Sequence, residues 1–117
     1  MTPLKPLPPH WFQILLALAD TSRHGLGITE EVLTRTEGQL RLWPGVLYGA
    51  LGKMAVEGFV VETDAPLDFT PGGGRPRFYR ITPLGRRTCA AEAARLARIV
   101  NAAYAKRLIK RPGAAQA

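Results

Sequence analysis

Cysteine occurs once, at Cys89, and histidine twice, at His10 and His24. One thiol forbids an internal disulfide, which fits a reducing compartment and leads to the expectation of a cytoplasmic protein. Neither histidine has metal-ligand spacing to Cys89, so neither a metal site nor a cofactor is expected. No nucleophile sits in a triad or elbow pattern, and the triplet Gly72 to Gly74 lacks the Lys-Ser/Thr of a phosphate loop. The chain is therefore not expected to be an enzyme. No apolar run approaches the ~20 residues of a membrane span. Lys5 ahead of an apolar stretch ending in Ala17-Leu18-Ala19 has the outline of a secretory leader, but Gln13 interrupts it and Pro3, Pro6, Pro8 and Pro9 crowd its approach.

Acidic residues are scarce in one region only. Residues 1 to 80 hold eight Lys/Arg against eight Asp/Glu, whereas residues 81 to 117 hold eight against Glu92 alone, which accounts for the whole formal charge of +7. Bulk charge points to an anionic partner without locating it, so an argument for nucleic acid has to rest on placement. At 117 residues the chain is one domain, with a modest core and little room for a cleft.

Residues 1–9 are proline-rich and read as an extended arm. From His10, the apolar residues Trp11, Ile14, Leu15 and Leu18 recur at helical spacing, predicting a first helix to about Asp20. A second helix is predicted over His24 to Thr36, with Ile28, Val32 and Leu33 inward and Thr29 as a possible cap. Pro44 suits the first position of a third helix, whose buried face would be Val46, Leu47, Leu51, Met54 and Ala55.

Strands are predicted over Phe59 to Thr63 and Arg77 to Ile81, joined by a long Gly/Pro/Asp-rich loop suited to a wing. Thr82 as cap with Pro83 behind it starts a last helix that runs to about Pro112, ~40 Å at 1.5 Å per residue. The fold class predicted is mainly α with a two-stranded β wing: an arm over 1–9, a winged helix-turn-helix over 10–82, a dimerisation helix over 83–111 and a disordered tail over 112–117.

The candidate DNA contacts are Arg23, Arg41, Tyr48, Lys53, Arg75 and Arg77. Tyr48 and Lys53 lie opposite the apolar face of the third helix, and both donate to phosphate oxygens. Arg75 and Arg77 flank Pro76 in a stiff cationic tip, and arginine in a narrow minor groove meets strong negative potential. The alternative is a solvated helix face and a hairpin edge kept soluble by charge. In the last helix Leu96, Val100 and Ala103, extended back to Ala93 and Cys89, follow a coiled-coil seam, the expected homodimer interface. Its basic outer face reads as solvated; its apolar side is mostly alanine and gives little area to insert into lipid. Trp11, Phe12 and Trp43 are a candidate pocket for a small aromatic effector, against the reading of aromatics as core.

Several motifs in order resemble those of the PadR family of transcriptional regulators, in its short form with one C-terminal helix. They are His24-Gly25, Gly45-Val46-Leu47-Tyr48 with Ala50-Leu51 and Lys53-Met54, Glu57-Gly58-Phe59-Val60, and Gly74 to Thr82 with Gly85-Arg86. Leu26, Trp43 and Gly49 depart from that pattern, standing where an aromatic, a capping serine and a proline are usual. The resemblance implies a winged-helix dimer that binds double-stranded DNA at a palindromic operator and represses nearby genes, with Trp11 and Leu15 of the first helix joining the last helix in the dimer interface. Two other roles compete: a winged helix that binds protein, and a sensor of flat effectors.

Overall fold

The computed structural model describes residues 5–67, 69 and 76–113. In chain order the elements are α1 (Pro9–Ala17), β1 (Arg23–His24), α2 (Gly25–Arg35), α3 (Pro44–Val56), β2 (Val60–Thr63), β3 (Phe78–Ile81) and α4 (Pro83–Ala105). Ile14, Leu15 and Leu18 from α1 and its cap, Ile28 and Val32 from α2, and Leu47, Leu51 and Met54 from α3 share one core with Val60 and Ile81 of the sheet.

Helix ends differ from the sequence expectations for reasons of partnership. α1 stops at Ala17 rather than Asp20, because Arg23 Nε donates to the Ala17 carbonyl at 2.6 Å and Arg86 Nη2 to that of Ala19 at 2.9 Å. Side-chain donors thus satisfy carbonyls that a longer helix would have used. α2 is capped by His24, not Thr29: its Nδ1 accepts from the Gly27 N–H at 3.0 Å, while the Thr29 hydroxyl donates to the Leu42 carbonyl.

α3 follows Pro44 at its first position, as expected, and ends in a Schellman turn in which Phe59 N–H donates to the Met54 carbonyl at 2.8 Å and Gly58 N–H to Ala55 at 3.1 Å. Gly58 has φ +83°, which explains the glycine there. Val46 and Ala55, expected on the buried face, are exposed. At 3.6 residues per turn each lies about 90° from the centre of the stripe formed by Leu47, Ala50, Leu51 and Met54.

The wing is one hairpin of a three-stranded antiparallel sheet ordered β1-β3-β2, where two strands were expected. β1 pairs Arg23 with Tyr79 and His24 with Phe78. Two residues carry no periodicity, so only the partner strand reveals them. The wing tip, Asp68 and residues 70–75 with the glycine triplet and Arg75, lies outside the described residues, as do residues 1–4 of the arm and 114–117 of the tail.

α4 begins as expected: the Thr82 hydroxyl accepts from the Gly85 N–H at 2.9 Å and donates to the Gly58 carbonyl at 2.5 Å. A Cβ at Gly85 would overlap the Phe59 carbonyl, so only glycine lets α4 approach the chain leaving α3. The helix ends at Ala105, short of Pro112, in a second Schellman turn with Arg107 at φ +61°. Arginine is an unmarked stop signal, unlike glycine. Arg111 then folds back, 4.6 Å over the Tyr104 ring and donating to Asn101 Oδ1. Within the proline-rich arm, Leu7 is buried in the core.

Candidate nucleic-acid interface

α3 turns Tyr48 and Lys53 to solvent while Leu47, Ala50, Leu51 and Met54 hold the helix to the core. Tyr48 does not stand free. Its hydroxyl end lies over Gly25 at the start of α2, where a Cβ would overlap it, and its ring sits 6.5 Å from that of Tyr79 on β3. Gly25 therefore sets the approach of α2 to α3 and the direction of the tyrosine. The phenol links α2, α3 and the wing strand in one surface.

Arg77, just before β3, is a candidate contact among the described residues of the wing, where Arg80 is also exposed. Arg77 is well exposed and pairs loosely with Glu62 across the hairpin at 3.5 Å, an exposed pair of the kind that contributes at most ~1 kcal/mol and releases its arginine readily. Burial pushes the Tyr79 phenol above its ordinary range, partly offset by a side-chain hydrogen bond with Arg77, so the hydroxyl remains protonated at neutral pH. Arg41 stacks 5.3 Å over the Trp43 ring just before α3.

Arg23, a candidate DNA contact, also has a structural role. Its guanidinium reaches the Ala17 carbonyl, Asp20 and Glu31 together, tying the end of α1 to β1 and α2. A second unforeseen cluster supports the wing: His24 stacks on Phe78 with centroids 5.3 Å apart, and Phe69 meets both rings edge-on at 5.4 and 5.0 Å. A lone phenylalanine in a Gly/Pro-rich loop was the available signal.

The aromatic pocket expected from Trp11, Phe12 and Trp43 is divided. Trp11 packs edge-on against Phe59 and, with Phe12, against the core. Trp43 instead lines a groove of about 310 Å³ between α2 and the start of α3, with Leu26, Thr29, Arg41, Pro44 and Tyr48 among its walls. Helical periodicity shows which residues share a face of one helix, not which helices face each other.

The residues expected at the dimer seam also separate. Leu15 is fully buried in the protomer's own core, and Cys89 is buried there too, so neither offers surface to a partner. Burial raises the Cys89 thiol above its ordinary range, which disfavours the thiolate at neutral pH. Trp11 is half-buried. Ala93 and Val100 are exposed, Leu96 and Ala103 half-buried, and Ile99 extends the apolar strip. Where the buried and exposed halves of α4 meet, buried Glu92 takes two hydrogen bonds from Arg95, at 2.8 and 2.6 Å. That pairing, helped by the Leu7 backbone N–H, holds the carboxyl below its usual range.

A helix-turn-helix with a sheet hairpin beside it defines a winged-helix protein. The model of the transcriptional regulator PadR-like family matches residues 14–91. The chain belongs to that family, whose members are transcriptional regulators. Among solved structures, a PadR family transcription regulator from Clostridium difficile shares 20% identity over 85% of this chain and 99% of its own, with a TM-score of 0.62. Bacillus subtilis PadR in complex with operator DNA shares 18% over 72% of this chain and 47% of its own, at 0.61. F93, a winged-helix DNA-binding protein from STIV, shares 18% over 82% of this chain and 96% of its own, at 0.65. These likenesses establish the fold. No curated protein sequence matches the chain. Among the described residues, no helix is long and apolar enough to cross a membrane.

Proposed function

We propose that this chain is a cytoplasmic repressor that acts by binding rather than catalysis, as a homodimer on a palindromic operator. α3 would enter the major groove, and the wing, with Arg77 and Arg75, would hold the adjacent backbone or minor groove. The observation that carries the reading is the single surface made by Tyr48 and Lys53 of α3 with Arg77 of the wing, joined through the Tyr48–Tyr79 contact. The strip from exposed Ala93 through half-buried Leu96 to exposed Ile99 and Val100 supports pairing with a second copy, since lone apolar strips on a helix are normally covered. In such a dimer the two recognition helices stand about 34–36 Å apart, one helical turn of DNA.

Fluorescence anisotropy with genomic fragments, titrated across ionic strength, tests the reading alongside the mass in solution. A dimer that prefers particular fragments, with affinity falling steeply as salt rises, is the expected result. A lone protomer indifferent to every duplex at low salt overturns it, and a protein-binding winged helix would give that result.

A further inference from the structure

The surface of α3 is unusual in what it can offer to a base pair. Of its exposed side chains only Tyr48 and Lys53 form hydrogen bonds, and none is an arginine, asparagine or glutamine able to grip a purine edge at two points. Large apolar groups stand exposed instead: Leu26 is 63% accessible, Trp43 64% and Val46 50%. Leu26, Trp43 and Tyr48 share the groove between α2 and α3, while Val46 projects from the opposite flank of α3. On the outermost face between the flanks, Gly45, Gly49 and Gly52 have nothing near their missing Cβ positions, so no ridge of side chains holds the helix away from a surface.

The apolar group that a major groove displays is the thymine C5 methyl. We propose that this chain selects its DNA site chiefly through thymine methyl groups, met by Leu26, Trp43 and Tyr48 on one flank of α3 and by Val46 on the other. The surrounding charge fits an anionic occupant: Arg41 is the one charged residue lining the groove, Lys53 lies farther along α3, and Arg77 stands on the wing. A partner protein with an apolar knob would fill the same groove but would gain nothing from that rim. Cationic side chains hold the phosphates without reading sequence, and the apolar flanks supply the discrimination. The inference rests on the DNA-binding reading and deepens it.

The test begins with duplexes selected from a random library by the full chain. Each thymine of the selected half-site is then replaced by uracil, which removes the methyl and leaves every hydrogen-bonding group. Anisotropy at fixed salt should show about fourfold weaker binding for each methyl in contact, the value of burying one carbon of this size. The salt slope should not change, because no phosphate contact is lost. Val46→Ala should abolish the uracil effect at one thymine and Leu26→Ala at another, whereas Lys53→Ala should lower affinity for both duplexes equally. Both apolar positions are at least half exposed, so the variants should fold as the parent does. A fully uracil-substituted duplex bound as tightly as its parent overturns the inference, as does full uracil sensitivity in Val46→Ala and Leu26→Ala. A selection that enriches no duplex overturns the DNA-binding reading itself, which is a distinguishable failure.

Discussion

α3 and α4 both turn apolar side chains to solvent, yet α3 carries a single charge, Lys53, while α4 carries Arg86, Arg87, Glu92, Arg95 and Arg98. Net charge alone would assign the nucleic-acid surface to α4. The structure puts two of its four arginines to internal use: Arg86 closes the chain after α1, and Arg95 holds buried Glu92. α3, almost neutral, stands beside the wing with a smooth outer face. The helix richest in charge and the helix proposed to read DNA are different helices, because steady attraction needs only cations nearby whereas readout needs shape and position.

The largest effect expected on either helix is at the buried half of α4. Gly85→Ala should destabilise the protein by about 3 kcal/mol in urea unfolding, since the added methyl meets a backbone carbonyl that cannot move aside. A variant as stable as the parent would show that α4 does not depend on this close approach.

On the exposed half of the same helix, Val100→Asp should leave unfolding nearly unchanged and weaken self-association on the order of a hundredfold, by placing a charge in an apolar seam. Analytical ultracentrifugation measures this. An unchanged dimer would remove the seam from α4 and blunt the contrast between its halves.

Smaller changes probe the α3 side. Arg77→Ala should weaken operator binding about tenfold and lower the magnitude of the salt slope by about 0.9, as one phosphate contact disappears. Gly25→Ala should displace the Tyr48 hydroxyl end, lowering DNA affinity several-fold with little loss of stability, because the side chain can swing where the Gly85 neighbour cannot. Equal losses of stability in Gly25→Ala and Gly85→Ala would break the distinction between a flexible and a rigid neighbour.

The smallest effect is one of pH. The Glu92 carboxyl is held below its unfolded value by Arg95, so its contribution is complete above the ordinary carboxylate range and is lost as pH falls through the depressed value. Glu92→Gln should flatten that part of the stability profile. A thermal-melt series that keeps the parent's acid slope would show that Glu92 is not its source.

Much of this was legible without coordinates where the signal is local. Pro44 and Pro83 at first helical turns, Thr82 as cap, Gly58 as stop and the Ile14, Leu15, Leu18 stripe each express a backbone or burial preference of their own residues. The candidate site was legible in part: Tyr48 and Lys53 follow from the face opposite the α3 core. The internal contacts of Arg23 were not, since its acceptors come from α1, α2 and the link between them, and no spacing announces that they converge.

The amino-acid order by itself determined the helices, the wing strands, the family and the placement of Tyr48 and Lys53 opposite the buried stripe of α3, because periodicity and turn chemistry act over a few residues. Tertiary structure alone decided that Leu15 and Cys89 face inward, that Trp43 parts from Trp11, and that β1 exists as a strand. Those outcomes depend on which element lies against which, and packing is a relation between distant segments that no single segment encodes.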